Sequence, residues 1–187
     1  MSQHDNSHDQ ESGGLKGALN KAADMAGGMV GMGSAATAGS HSTQAFVTNA
    51  CIGDLYEIEA GRIAAQRAAS DAVRSFGLMM VEHHTTAMHQ MQSALTSSEV
   101  TQDNPDLQPP RELDDRRQGL LKHLQEAAAD DFDKTYIDQQ RMAHQENITL
   151  HKGYAEKGDN PQLRSLAMGG LPMVERHLKA LTHLGVH

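Results

Sequence analysis

Tryptophan is absent, aromatic residues make up 3% of the chain, and Cys51 is its single cysteine. Each scarcity closes off a class of function. One thiol excludes an internal disulfide and any cysteine-rich zinc or iron–sulfur site. Sixteen Lys and Arg against twenty-four Asp and Glu give a net charge of −8. With no basic stripe and no aromatic stacking platform, a nucleic-acid-binding face is not expected. No uninterrupted run of 18 apolar residues occurs, so no transmembrane helix is expected. The opening MSQHDNSHDQESGG is polar and acidic where a secretory signal places positive charge ahead of an apolar segment. The later AADMAGGMVGMGSAATAG is broken by Asp24 and preceded by Lys16 and Lys21, so the expectation is a cytoplasmic protein. Phosphate loops, nucleotide fingerprints and nucleophile–base pairs are also missing.

What the chain has in quantity is imidazole and thioether: 12 His and 11 Met in 187 residues. They concentrate in MVEHHTTAMHQM, residues 80–91. The surrounding pattern is helical throughout, with no period-2 alternation of β-branched residues. Residues 1–41, rich in Gly, Ser, Ala and His, read as a flexible tail with a frayed helix near LKGALNKAADM. Residues 42–187 read as one domain. Helices are predicted over 43–69, over 71–95 behind Ser70 as N-cap, over 111–127 behind Pro110, over 129–157, and over 160–184 with a kink near Gly169, Gly170 and Pro172. Residues 96–110 form a loop. Four amphipathic helices with short connections inside each pair imply an all-α antiparallel four-helix bundle with one extra short helix and a disordered N-terminal tail.

Projecting each helix at 100° per residue identifies the polar side chains on its apolar face. His84 falls in the middle of the Val73, Phe76, Met80, Ala87, Met88 face, with His83 at its edge and His89 nearly opposite. The face of Phe132, Tyr136, Leu150 and Tyr154 also carries Gln140, His144, Asn147 and His151. His177 lies on the stripe of Leu163, Ala167, Val174 and Leu181. In the first bundle helix Glu57 and Asp54 turn inward and Glu59 outward.

Height decides whether these groups can meet. Glu57 and His84 sit symmetrically about the Ser70 turn, each roughly 20 Å from it, and His144 and His177 straddle the Asn160–Pro161 turn at roughly 25 Å. Both pairs therefore land near mid-bundle. Three imidazoles and a carboxylate are costly in a dry core unless a cation or a closed hydrogen-bond network compensates them. The pattern points to one divalent transition metal, Zn, Fe, Mn or Cu, on Glu57, His84, His144 and His177, with Asp54, His151 and Gln140 as additional candidates. Methionines at helical spacing read as gap-filling core. A di-iron carboxylate site is disfavoured because the residues three before His84, His144 and His177 are Val81, Arg141 and Val174 rather than Glu.

The stretches FVTNACIGDLYEIEAGRIAAQRAASDAVRSFGLMMVEHHTTA and FDKTYIDQQRMAHQENITLHKGYAEKGDNPQLRSLAMGGLPMVERHLKAL together resemble the bacterial family catalogued as domain of unknown function 4142. The likeness spans about residues 43–184, with matches at Glu57, His84, His144, Pro172 and His177. It implies a ferritin-like helical bundle and supports the fold and site more than any reaction. Three readings stay open: a metal-binding protein without catalysis, slightly favoured and stress- or envelope-related; a metalloenzyme with an open coordination position; and a metal-free helical interaction module. Homo-oligomerisation is left open.

Overall fold

The short connections decide the architecture. The computed structural model describes residues 7–184, and among them there are seven α-helices and no strand: α1 (Ser7–Ala36), α2 (Thr43–Arg67), α3 (Asp71–Leu95), α4 (Ser98–Thr101), α5 (Asp115–Glu126), α6 (Ala129–Lys157) and α7 (Pro161–Leu184). A 3₁₀ turn at Ala38–Ser40 joins α1 to α2. Ser42 and Ser70 cap α2 and α3, their hydroxyls accepting from the backbone N–H of Ala45 and Ala72, as serine does where free helix-end donors need a partner.

The Ala68–Ser70 turn is held by α6. The Asp133 carboxylate accepts from the N–H of Ala69 at 3.0 Å and Ser70 at 2.8 Å, and Arg67 donates to the carbonyls of Leu124, Gln125 and Ala127. At the opposite end, Asp159, in the turn between α6 and α7, accepts from the backbone N–H and hydroxyl of Thr43. Asn160 donates to the carbonyl of Glu99. The ends of α2 and α6 thus meet in opposite order, as do those of α3 and α7. Contacts run α2 to α3, α3 to α7, α7 to α6 and α6 to α2, closing a ring. Between α2 and α3 the backbones touch: a Cβ on Gly77 would lie 2.8 Å from the carbonyl oxygen of Gly61.

Two apolar clusters fill the ring. One holds Phe46, Ala50, Met91, Leu150, Tyr154 and Ala167; the other holds Tyr56, Met80, Phe132, Tyr136 and Leu181. On each of the four helices of the ring a buried polar residue lies between them. Asp54 lies between Ala50 and Tyr56, His84 between Met80 and Met91, His144 between Tyr136 and Leu150, and His177 between Ala167 and Leu181.

The structure corrects three sequence expectations. The N-terminal segment is not a free tail over its described part. From Ser7 to Ala36 it is helical, and it packs on α5 and α6 through Asp24, which accepts from His123 at 2.5 Å and Gln139 at 2.7 Å, and through Lys21 to Asp138 at 2.8 Å. Residues 1–6 lie outside the described residues. The packed face of α1 carries Asp24, Gly28, Gly31 and Ala35 while the large apolar residues Leu15, Leu19, Met29 and Val30 face outward, so its large hydrophobic side chains do not mark the docked side. The short helix α5 starts at Asp115, not 111, because the Asp114 side chain caps it by accepting from Arg117 N–H at 2.7 Å. The 96–110 loop contains α4. Pro172 stands inside α7.

Candidate metal centre

His84, His144 and His177 come from three helices, are essentially fully buried, and each offers one ligand nitrogen, all within 4.8 Å of one another. The ring centroids are 6.0 Å apart for His84 and His144, 5.6 Å for His84 and His177, and 5.3 Å for His144 and His177. Imidazole nitrogens on one tetrahedral ion lie ~3.4 Å apart given metal–nitrogen bonds of about 2.0–2.1 Å. Loading an ion would thus draw the rings together by roughly 1 Å.

The outward nitrogen of each ring has a partner, and these partners define the inward one. His84 Nδ1 bonds Asp54 Oδ1 at 2.8 Å, and its Nε2 is buried with no hydrogen-bond partner among the described residues. His144 Nδ1 donates to the Gln140 carbonyl at 2.8 Å, which fixes the proton on Nδ1 and leaves Nε2 a bare lone pair. That lone pair faces His177 Nδ1 at 3.2 Å, while His177 Nε2 meets His83 Nδ1 at 2.7 Å. Rings held at one nitrogen by a carboxylate, a carbonyl or another imidazole present the other nitrogen in a fixed direction, the usual arrangement around metal-binding histidines.

Electrostatics follow the same division. Burial holds the His144 imidazole below its ordinary value. Burial, and then the neighbouring His144, His84 and His83, push His177 down to about 2. Both are therefore neutral lone-pair donors at neutral pH. For His84, burial opposes the charge, but the hydrogen bond and charge of Asp54, with Glu57 beyond, outweigh it and raise the group.

The remaining sequence candidates fall around this trio rather than in it. Glu57 is buried and places Oε1 3.6 Å from His144 Nδ1, on that ring's carbonyl-bonded side, with Oε2 unpartnered among the described residues. Asp54 holds His84. Gln140 supplies its backbone carbonyl to His144, and both its buried amide atoms lack hydrogen-bond partners among the described residues. His151, half-buried, bonds the Asn147 carbonyl at 3.1 Å and lines a cavity instead of the trio. His83 is half-buried and His89 exposed, as their angular positions implied.

Sequence reasoning missed His83 as the partner of His177, because a residue at the edge of a helical face can still reach a neighbour on the next helix. It also missed a buried ionic layer on the outer side of α6. There Glu146 accepts from Arg116 at 2.8 Å and Arg117 at 2.7 Å, and Gln139 is tied to Asp24. Only the docking of α1 and α5 buries that side, and the large hydrophobic side chains of α1 do not mark its docked side.

No curated protein and no solved structure matches the chain. The family described as Domain of unknown function (DUF4142) matches residues 29–184, a stretch that includes α2 to α7 and all three converging histidines. The chain belongs to the DUF4142 family.

Proposed function

We propose that this protein is a metal-binding protein of ferritin-like four-helix architecture, holding one divalent transition ion at mid-bundle. The ligands are His84 through Nε2, His144 through Nε2 and His177 through Nδ1. The buried carboxylate of Glu57 balances charge and supplies the fourth ligand when its side chain turns from His144 toward the ion. The observation that carries this reading is the unpartnered, fully buried Nε2 of His84 beside two other imidazoles whose ligand atoms lie within 4.8 Å. A buried lone pair without a donor costs about 1–3 kcal/mol, and a cation on His84 Nε2 removes that cost. Neutral imidazole suits Zn²⁺, Fe²⁺, Mn²⁺ or Cu²⁺, in keeping with the donor set.

A second reading has its own observation. The contacts of His83 with His177 and of His177 with His144 satisfy four ring nitrogens without any ion, as a metal-free structural network would. Elemental analysis of untagged protein purified without added metal separates the two. The metal reading requires about one equivalent of a transition ion, its loss in His84→Ala and in His177→Ala, and its retention in His89→Ala. Absence of metal, with melting indifferent to chelator, leaves the structural network.

A further inference from the structure

The geometry points to an entry route: we propose that a transition ion reaches and leaves the three histidines through the cavity between α2, α3, α6 and α7, with Asp54 and His83 as its inner wall. The inference rests on the metal-site reading above. The histidines are 0%, 1% and 2% exposed, so no ion meets them without passing a side chain.

Two cavities approach the polar layer. One, of about 20 Å³, reaches Glu57 from the α1 and α5 side and is lined by Arg116 and Arg117. Of the other acids in that wall, Glu146 is committed to the two arginines and Asp24 to His123 and Gln139, which leaves only Glu57 itself. A cation entering there faces two guanidinium groups. The other, of about 250 Å³, is lined by Asp54, His83, Asn147, His151, Met91 and Met173. Arg176 is the one lysine or arginine in that lining, and it is exposed at the rim.

The donor chemistry of the second wall suits a transition ion in transit. Carboxylate, imidazole, amide oxygen and thioether can replace hydration waters one at a time. The Asn147 Oδ1 is buried with no hydrogen-bond partner among the described residues. Between this cavity and the ligand nitrogens stands one layer of side chains. Asp54 bonds His84 at 2.8 Å and His83 bonds His177 at 2.7 Å, so the groups that orient two ligands also face the cavity. His83 is half-buried and stacks on His177 with centroids 5.0 Å apart, so swinging it outward uncovers His177 without disturbing the apolar core. On the α7 side the lining includes Gly169, where a Cβ would meet nothing within 4 Å, so a larger side chain has room there.

The test narrows the cavity and reads rates against affinity with Zn²⁺ as the probe. Uptake is followed by stopped flow, release by transfer to a chromophoric chelator, and affinity by competition with the same chelator. Gly169→Phe and Ala87→Phe place a ring in the cavity from opposite walls. Met168→Phe adds bulk on the outer surface of α7, where Met168 is 62% exposed. A barrier raised equally in both directions leaves the equilibrium unchanged, so each blocking variant should slow uptake and release on the order of tenfold with Kd little altered. Met168→Phe should match the parent. Unchanged rates in both blocking variants, or weakened affinity without slower uptake, overturns the route while leaving the metal site standing. If the parent protein takes up no Zn²⁺, the site and the route fall together.

Discussion

Truncating Asp54 to alanine removes the carboxylate that His84 Nδ1 bonds at 2.8 Å, in a contact where the imidazole is 0% and the aspartate side chain 9% exposed. The residue need not touch the ion for the loss to matter. It holds the ring with Nε2 pointing at the other two imidazoles, and its charge makes that nitrogen more basic. Deleting such an outer partner typically lowers metal affinity about 10- to 100-fold, or roughly 1.4–2.7 kcal/mol. The unpaired Nδ1–H also costs about 1–3 kcal/mol of folding stability, but this applies to the empty and the loaded protein alike and cancels from the affinity. Asp54→Asn keeps an oxygen that accepts from Nδ1–H and loses only the charge, so it should fall between Asp54→Ala and the parent. Competition of Zn²⁺ against a chromophoric chelator measures all three, with His89→Ala, altered on an exposed side chain, expected to match the parent. The reasoning fails if Asp54→Ala binds Zn²⁺ as tightly as the parent, because His84 would then not be held in place by Asp54 or would not be a ligand.

Glu146→Ala strips the shared carboxylate from Arg116 and the buried Arg117. Arg117 would keep only the half-exposed carboxylate of Asp114, at 2.8 Å, so the lost charged hydrogen bonds should destabilise the fold by about 1.5–3 kcal/mol in urea unfolding, and a change under 1 kcal/mol would mean that solvent reaches the site. Gly77→Val forces apart the α2 and α3 backbones, because the added Cβ would lie 2.8 Å from the Gly61 carbonyl oxygen. A loss of more than about 2 kcal/mol is expected, with an unchanged melting temperature as the contrary result. Burial opposes ionisation of Asp159, yet donors from Thr43 and Tyr154 hold its carboxyl below the ordinary range. Its contribution to stability should thus be full above about pH 4 and fade as pH falls further. Asp159→Asn should flatten the acid limb of the melting temperature against pH, and an identical limb would show that the turn does not draw on the charge.

The sequence by itself determined the four helices of the ring and the polar residues at their mid-height. A 3.6-residue period placed His84, His144 and His177 on apolar faces, and equal distances from two turns put them at one level, because rise per residue is constant along a helix. Serine caps, prolines and glycines marked the helix ends closely for α2, α3, α6 and α7. What only tertiary structure decided is everything that depends on a second face. Helix α6 is buried on its outer side because α1 lies on it through Asp24, Gly28, Gly31 and Ala35, a surface of one charge and small residues that leaves no period of large hydrophobic side chains to read. The tertiary structure likewise brings the three imidazoles together and keeps Glu57 at the flank of His144, because angular position along a helix says which way a side chain leaves the backbone but not where its last rotatable bonds carry the functional atom. The same limit made His83 look peripheral, although its ring reaches across from α3 to α7 and closes on His177.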